Sequence, residues 1–353
     1  MLPYWILFSA SSLLALVSWP WRGTLGAISA TLIGLALVIF IGFRFEVGAD
    51  WSNYEVIFLD VGHASFPDAL LIGDPGYSLL NWVVAAFGGD IWFVNLFCAA
   101  LFVYALLRLC MTLPLPWVAF LAAVPALIII VSMGYTRQAS ALAFVMLAIR
   151  AYDGGFNWRW LFWLAVGVTF HKSTILMFPI FALAASRNRT VVLASGAAIG
   201  MFLLFMFILQ GLQDMIEMYF GSEMQSSGAF QRAGLAVIPA ILFFAIPNMS
   251  QWFGYRYKIW RNMAITSLLL VPMLLVLSSS TVVDRIGVLL LPFQIAFYSA
   301  IPMALSQKRI WREVLVVGII LFSAAIQTIW LLYADNSSHW IPYRNVLTEP
   351  YVL

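Results

Sequence analysis

The chain has 353 residues, 63% hydrophobic and 9% charged, whereas a soluble protein carries about 25% charged residues. A net charge of +3, with no basic stripe interleaved with aromatics, excludes a nucleic-acid binder. Apolar runs of roughly 17–25 residues, the length a membrane helix needs, recur throughout and predict an all-α, polytopic integral membrane protein.

In chain order, spans are predicted at about 4–19 and 24–43, joined by Trp21, Arg22 and Gly23. The first lacks a basic start and is followed at once by another span, so it reads as a retained helix. Residues 44–75 form a polar segment with six of the fifteen acids, Glu46, Asp50, Glu55, Asp60, Asp68 and Asp74. They predict an ordered external loop with a short surface helix. Gly76 to Phe87 is apolar, but twelve helical residues cover only about 18 Å, so this stretch is re-entrant or interfacial. Spans follow at 91–107, 117–131, 138–149, 160–170, 174–185 and 191–209. A second polar loop covers 211–232, and the last spans are 234–252, 263–277, 286–304 and 314–332. Cys98 and Cys110 are predicted on one helix about 18 Å apart, too far to pair, and read as apolar filler.

Basic loops at 22, 108, 150–159, 187–189, 256–261 and 308–312 alternate if 76–87 does not cross. The positive-inside rule then predicts about twelve crossings, with both termini and both acidic loops outside. One domain, 1–353, is expected. Arg44, Arg137, His171, Arg285 and Arg344 fall on the side that basic residues should avoid. Such residues are site candidates by default.

Three predicted helix starts on that side carry a cation: Arg137 before Gln138, Lys172 with His171 before Thr174, and Arg285 before Ile286. Free N–H groups and the dipole favour an anion at a helix start, and arginine's planar fork fits phosphate oxygens. Converging, they would seat a diphosphate at the membrane surface. Asp50 and Asp284 could hold the arginines in place or act as a base. The alternatives are ordinary: arginines after apolar spans snorkel, Ser173 or Thr174 serves as an N-cap, and Trp and Tyr form an interfacial belt. There is no Walker loop, Rossmann glycine pattern or HExxH. The three histidines, His63, His171 and His339, have no metal-ligand spacing. The expectation is a reaction without metal or cofactor.

In order along the chain stand Arg44-Phe-Glu-Val-Gly48-Ala-Asp50 with Tyr54, Gly134-Tyr-Thr-Arg137-Gln138, Phe170-His171-Lys172-Ser173, Asp284-Arg285 and Trp340-Ile-Pro342-Tyr343. This series resembles the EpsG-type family of Wzy-like polysaccharide polymerases, and the likeness covers nearly the whole chain. It implies glycosyl transfer at the outer face of the bacterial cytoplasmic membrane, from a glycan on undecaprenyl diphosphate to a lipid-linked repeat unit. Implied partners are that lipid-linked oligosaccharide, membrane lipid, a chain-length regulator and a flippase. On this reading Arg137 and Arg285 contact diphosphate, with Arg44 and Arg344 assisting. His171 is the base or hydrogen-bond partner of the attacking hydroxyl, and Asp50 is the other candidate base. Tyr54, Gln138, Lys172, Ser173, Asp284, Trp340 and Tyr343 would line the diphosphate and glycan site.

Three rival readings remain at this stage. An O-antigen ligase shares the chemistry with a different acceptor. A lipid-linked oligosaccharide flippase would hold polar residues near the midplane, whereas here they gather at one surface. A membrane acyltransferase would need a cytoplasmic acyl donor to reach His171.

Overall fold

The computed structural model describes residues 1–17, 23–185, 229–276 and 280–349. Among them the chain is all-helical with no strand; a single isolated antiparallel bridge joins Arg44 to Asn345. The expected span 191–209, the basic residues Arg22, Arg187 and Arg189, and the acidic loop up to residue 228 lie outside the described residues.

Helices α1 (Leu2–Leu16) and α2 (Gly23–Gly42) open the chain. The polar segment then forms α3 (Trp51–His63) and the short α4 (Phe66–Ala69), followed by α5 (Pro75–Ala86). After α6 (Ile91–Cys110) comes α7 (Pro116–Ala123), which widens to π-helical form over Val124–Ser132. Helices α8 (Thr136–Ala151) and α9 (Trp158–Phe170) pack on each other, and a 3₁₀ turn (Lys172–Leu176) leads into α10 (Met177–Ala185). The second half holds α11 (Ala229–Ala245), α12 (Ser250–Phe253), α13 (Tyr257–Val276), α14 (Ser280–Leu305) and α15 (Arg309–Tyr333).

Five described helical stretches are long and apolar enough to cross a membrane: Gly23–Gly42, Ile91–Cys110, Ser250–Leu275, Val283–Leu305 and Arg309–Tyr333. Shorter apolar helices occupy Leu2–Leu16, Pro116–Ser132, Lys172–Ala185 and Arg232–Ala245. Among the described residues, helix length thus supports a membrane protein and does not confirm the count of about twelve crossings. Arg232, expected in a loop, is inside α11. Arg285, expected ahead of a helix start, lies six residues into α14. Apolar counting missed both because a polar helix end reads as loop.

Helix α8 is the hub: every residue from Gln138 to Ile149 is buried. Its short side chains, among them Ala139, Ser140, Ala141 and Ala143, let α6 and α9 approach closely. Its first turn is therefore held rigidly, and the polar residues gather around that turn. Helix α5 does not traverse the bundle. Asp74 at its start bonds Arg137 in the first turn of α8. Asn95, early in the next helix α6, bonds Arg44, which also bonds Thr136. Both flanks of α5 therefore lie at the same end.

Candidate functional site

Two groups of polar residues meet at the first turn of α8. The inner group centres on Arg44, which is 1% exposed and has no carboxylate partner among the described residues. Its guanidinium donates to the carbonyls of Ile41 (2.7 Å) and Val47 (3.3 Å), to Asn95 Oδ1 (3.2 Å) and to Thr136 Oγ1 (2.6 Å). It thereby joins α2, α6 and α8 to the loop between them. Gly48 follows at φ +110°, where a Cβ would sit 2.3 Å from the Met133 carbonyl oxygen. Only glycine lets the loop lie on the turn before α8 at that distance.

The C-terminal segment completes this group. Phe45 N donates to the Arg344 carbonyl, Val346 N to that of Phe43, and Gly48 N to that of His339. Trp340 is fully buried; its indole N–H donates to the Ile129 carbonyl (2.9 Å) and its own carbonyl accepts from Tyr4. A Cβ on Gly134 would come within 2.6 Å of that indole. Tyr343 stacks on Phe40 and donates to the Phe40 carbonyl. Arg344 is paired with Glu46 and Glu349 and lies over the Phe45 ring.

The outer group is half-buried. Arg137, in the first turn of α8, pairs with Asp74 (3.2 Å) and lies 5.9 Å from the Tyr54 ring centroid. Its Nε is buried without an acceptor among the described residues. Asp74 also accepts from the backbone N–H of Lys172 (3.3 Å), tying the α5 start to the turn after α9. Burial nevertheless pushes the Asp74 carboxyl above its ordinary value, against the pull of Arg137 and the Lys172 N–H. The carboxylate of Asp50, just before α3, makes no hydrogen bond or ion pair with a described residue; its backbone carbonyl accepts from Tyr54 N. Burial raises its pKa, while the nearby charges of Arg137 and Arg285 act to lower it. Those charges also act on Asp74 and His171, so Arg285 belongs to this group. Arg285 makes no side-chain hydrogen bond or ion pair with a described residue; its backbone carbonyl accepts from Gln138 Nε2 (3.2 Å). Its neighbour Asp284 turns instead to Arg232 (2.5 Å).

His171 ends α9. Its Nδ1 accepts the backbone N–H of Ser173 at 3.2 Å, and the Ser173 hydroxyl lies 2.8 Å from the same nitrogen. A backbone N–H can only donate, so Nδ1 is bare and the neutral ring carries its proton on Nε2. Burial first, then Arg285, Arg137 and Lys172, push the imidazole pKa down to about 3. His171 is therefore a neutral N–H donor over the ordinary pH range.

The structure thus draws Asp50, Tyr54, Arg137, His171, Lys172, Ser173 and Arg285 to one end of the bundle, with Gln138 beneath them. Arg44 and Trp340 are buried beside that end, Tyr343 and Arg344 are half-buried there, and Asp284 is in a second ion pair. Asp74 and Arg232, which pair with Arg137 and Asp284, are residues that sequence reasoning passed over. Asp74 was one acid among six in its segment, and Arg232 closed an apparent loop. Beside Asp284 and Arg232 a narrow apolar crevice of about 90 Å³, partly open, runs between Tyr135, Ala233, Ala236, Gly287 and Leu291. Among the described residues no three His, Cys, Asp or Glu side chains gather as metal ligands. Cys98 and Cys110 are free and buried on α6.

A model of the EpsG family matches residues 27–345. No curated protein and no solved structure matches the chain.

Proposed function

Since the chain belongs to the EpsG family, a family of Wzy-like polysaccharide polymerase-type proteins, we propose that it transfers a growing glycan from undecaprenyl diphosphate to a hydroxyl of a lipid-linked repeat unit, with the Arg137 end facing the outside of the cytoplasmic membrane. The observation that carries this reading is the pairing state of the outer group. Among the described residues the Arg285 side chain has no acceptor, Arg137 Nε is buried without one, and the Asp50 carboxylate, also without a partner there, feels both charges.

In the proposed step the acceptor oxygen bonds to the anomeric carbon as that carbon's bond to the diphosphate oxygen breaks. Negative charge grows on the leaving undecaprenyl diphosphate. Donors held in place before reaction stabilise such charge at no reorganisation cost. Arg137 is held by Asp74, and the Arg285 backbone by Gln138. The hydroxyl proton goes to Asp50, whose raised pKa brings it closer to working pH. His171, with Nδ1 occupied by Ser173, donates from Nε2 to the substrate rather than accepting the proton. On this reading the first prenyl units lie against the apolar crevice beside Tyr135.

The test is gel analysis of surface glycan in cells carrying only the Arg137→Ala protein. At normal membrane levels of the variant the expected result is single repeats without a ladder, a loss of about 10²–10³ in turnover. A wild-type ladder at that level would remove Arg137 from the reaction.

A further inference from the structure

At the opposite end of α8 the loop between α8 and α9 faces Tyr255 and Arg256, and together they border an open cavity of about 710 Å³. Three arginines line it: Arg150 from the last turn of α8, Arg159 from the first turn of α9, and Arg256. The lining acid, Asp153, already accepts from Asn157 at 2.9 Å. Solvated arginines at a helix end are ordinary in membrane proteins, but Arg256 is not one. Its Nε and Nη2 donate to the carbonyls of Ile149 (3.1 Å) and Arg150 (3.0 Å), the orphan acceptors at the α8 C-terminus. Its guanidinium also lies 4.7 Å from the Tyr255 ring centroid. The cup is thus braced on a helix end rather than made of free side chains.

One wall of the cup is apolar and continues along α9. Trp158 is 68% exposed, and Phe162, one turn further into the helix, is 48% exposed with its ring 6.4 Å from the indole. A cationic cup continuing into an aromatic ladder along a membrane helix fits a ligand with an anionic head and an acyl body. We propose that this cavity binds one anionic phospholipid, its phosphate among Arg150, Arg159 and Arg256 and its acyl chains along Trp158 and Phe162. The site is remote from Arg137 and does not depend on the reaction assigned there. Charge complementarity selects the anionic headgroup, and the ladder selects a lipid over a free anion.

The test uses the purified full-length protein in detergent, with thermal unfolding followed during addition of phosphatidylglycerol, phosphatidylcholine or inorganic phosphate. Phosphatidylglycerol should raise the midpoint, and the other two should not. The double substitution Arg150→Gln with Arg159→Gln leaves the Arg256 brace intact. It should weaken the phosphatidylglycerol effect by about thirtyfold in concentration, two arginines each acting near a lipid phosphate. If the double variant does not fold, Arg159→Gln alone, on the exposed side chain, reads the same contrast with a smaller shift. Equal stabilisation by phosphatidylcholine, an equal effect of inorganic phosphate, or an unchanged response in the variants would each overturn the proposal.

Discussion

Arg44 and Arg137 lie 93 positions apart and meet at the first turn of α8, yet they are used in opposite ways. Arg44 is wholly buried and surrounded by acceptors from three helices and a loop. Arg137 is half-buried, takes one carboxylate and keeps N–H capacity in hand. A buried cation needs its hydrogen bonds filled by the protein, so a site that must greet an anionic ligand cannot be equally self-sufficient. The contrast teaches that a basic residue at a helix end is read by its unused donors, not by its presence.

The largest effect expected from this contrast is on stability. Arg44→Met keeps the apolar stem but strands the Asn95 and Thr136 oxygens and two carbonyls. Leaving acceptors buried and unmet at a charged-donor site costs about 3–5 kcal/mol. The variant should fall sharply in membrane abundance and unfold early in detergent, whereas Arg137→Ala should unfold near wild type and lose polymer. A stable, inactive Arg44→Met protein would abolish the distinction and move Arg44 into the site.

The division of labour between His171 and Asp50 comes next. His171→Ala should cut turnover by about 10²-fold, the scale of one lost donor to developing charge. His171→Asn, which restores an N–H donor, should recover most of it. The pH dependence carries a sign. A base works deprotonated, so activity should fall as pH drops through the Asp50 pKa, which burial raises from its ordinary value. The imidazole, pushed down to about 3, should add no inflection near its ordinary value. An inflection there that disappears in His171→Asn would make His171 the base after all.

Much of this end of the molecule was legible in the sequence. Arg137 and His171 stand out because apolar spans run straight into them, and the Arg44-to-Asp50 segment stands out through its resemblance to the family series. What was illegible is direction. Nothing in the sequence says that Arg44 turns inward to Thr136 while Arg137 turns to Asp74, or that Asp284 turns away from Arg285 to Arg232. Adjacent residues on a helix point about 100° apart, so Asp284-Arg285 looked like one local pair and serves two places. Trp340 and Tyr343 looked like belt or sugar-stacking aromatics, because their contacts with the first two helices are made across more than 300 positions.

That last contact gives the smallest effect and the finest test of the comparison. Trp340→Phe keeps an aromatic ring under Gly134 and removes the N–H that meets the Ile129 carbonyl. One neutral hydrogen bond is worth about 1 kcal/mol net, so the unfolding midpoint should fall by only a few degrees, with glycan chain length unchanged. If Trp340 stacked on a sugar instead, phenylalanine would leave stability alone and shorten or abolish the ladder. The two readings therefore move different measurements, and the same variant, scored for both, decides whether the C-terminal segment supports the site or forms part of it.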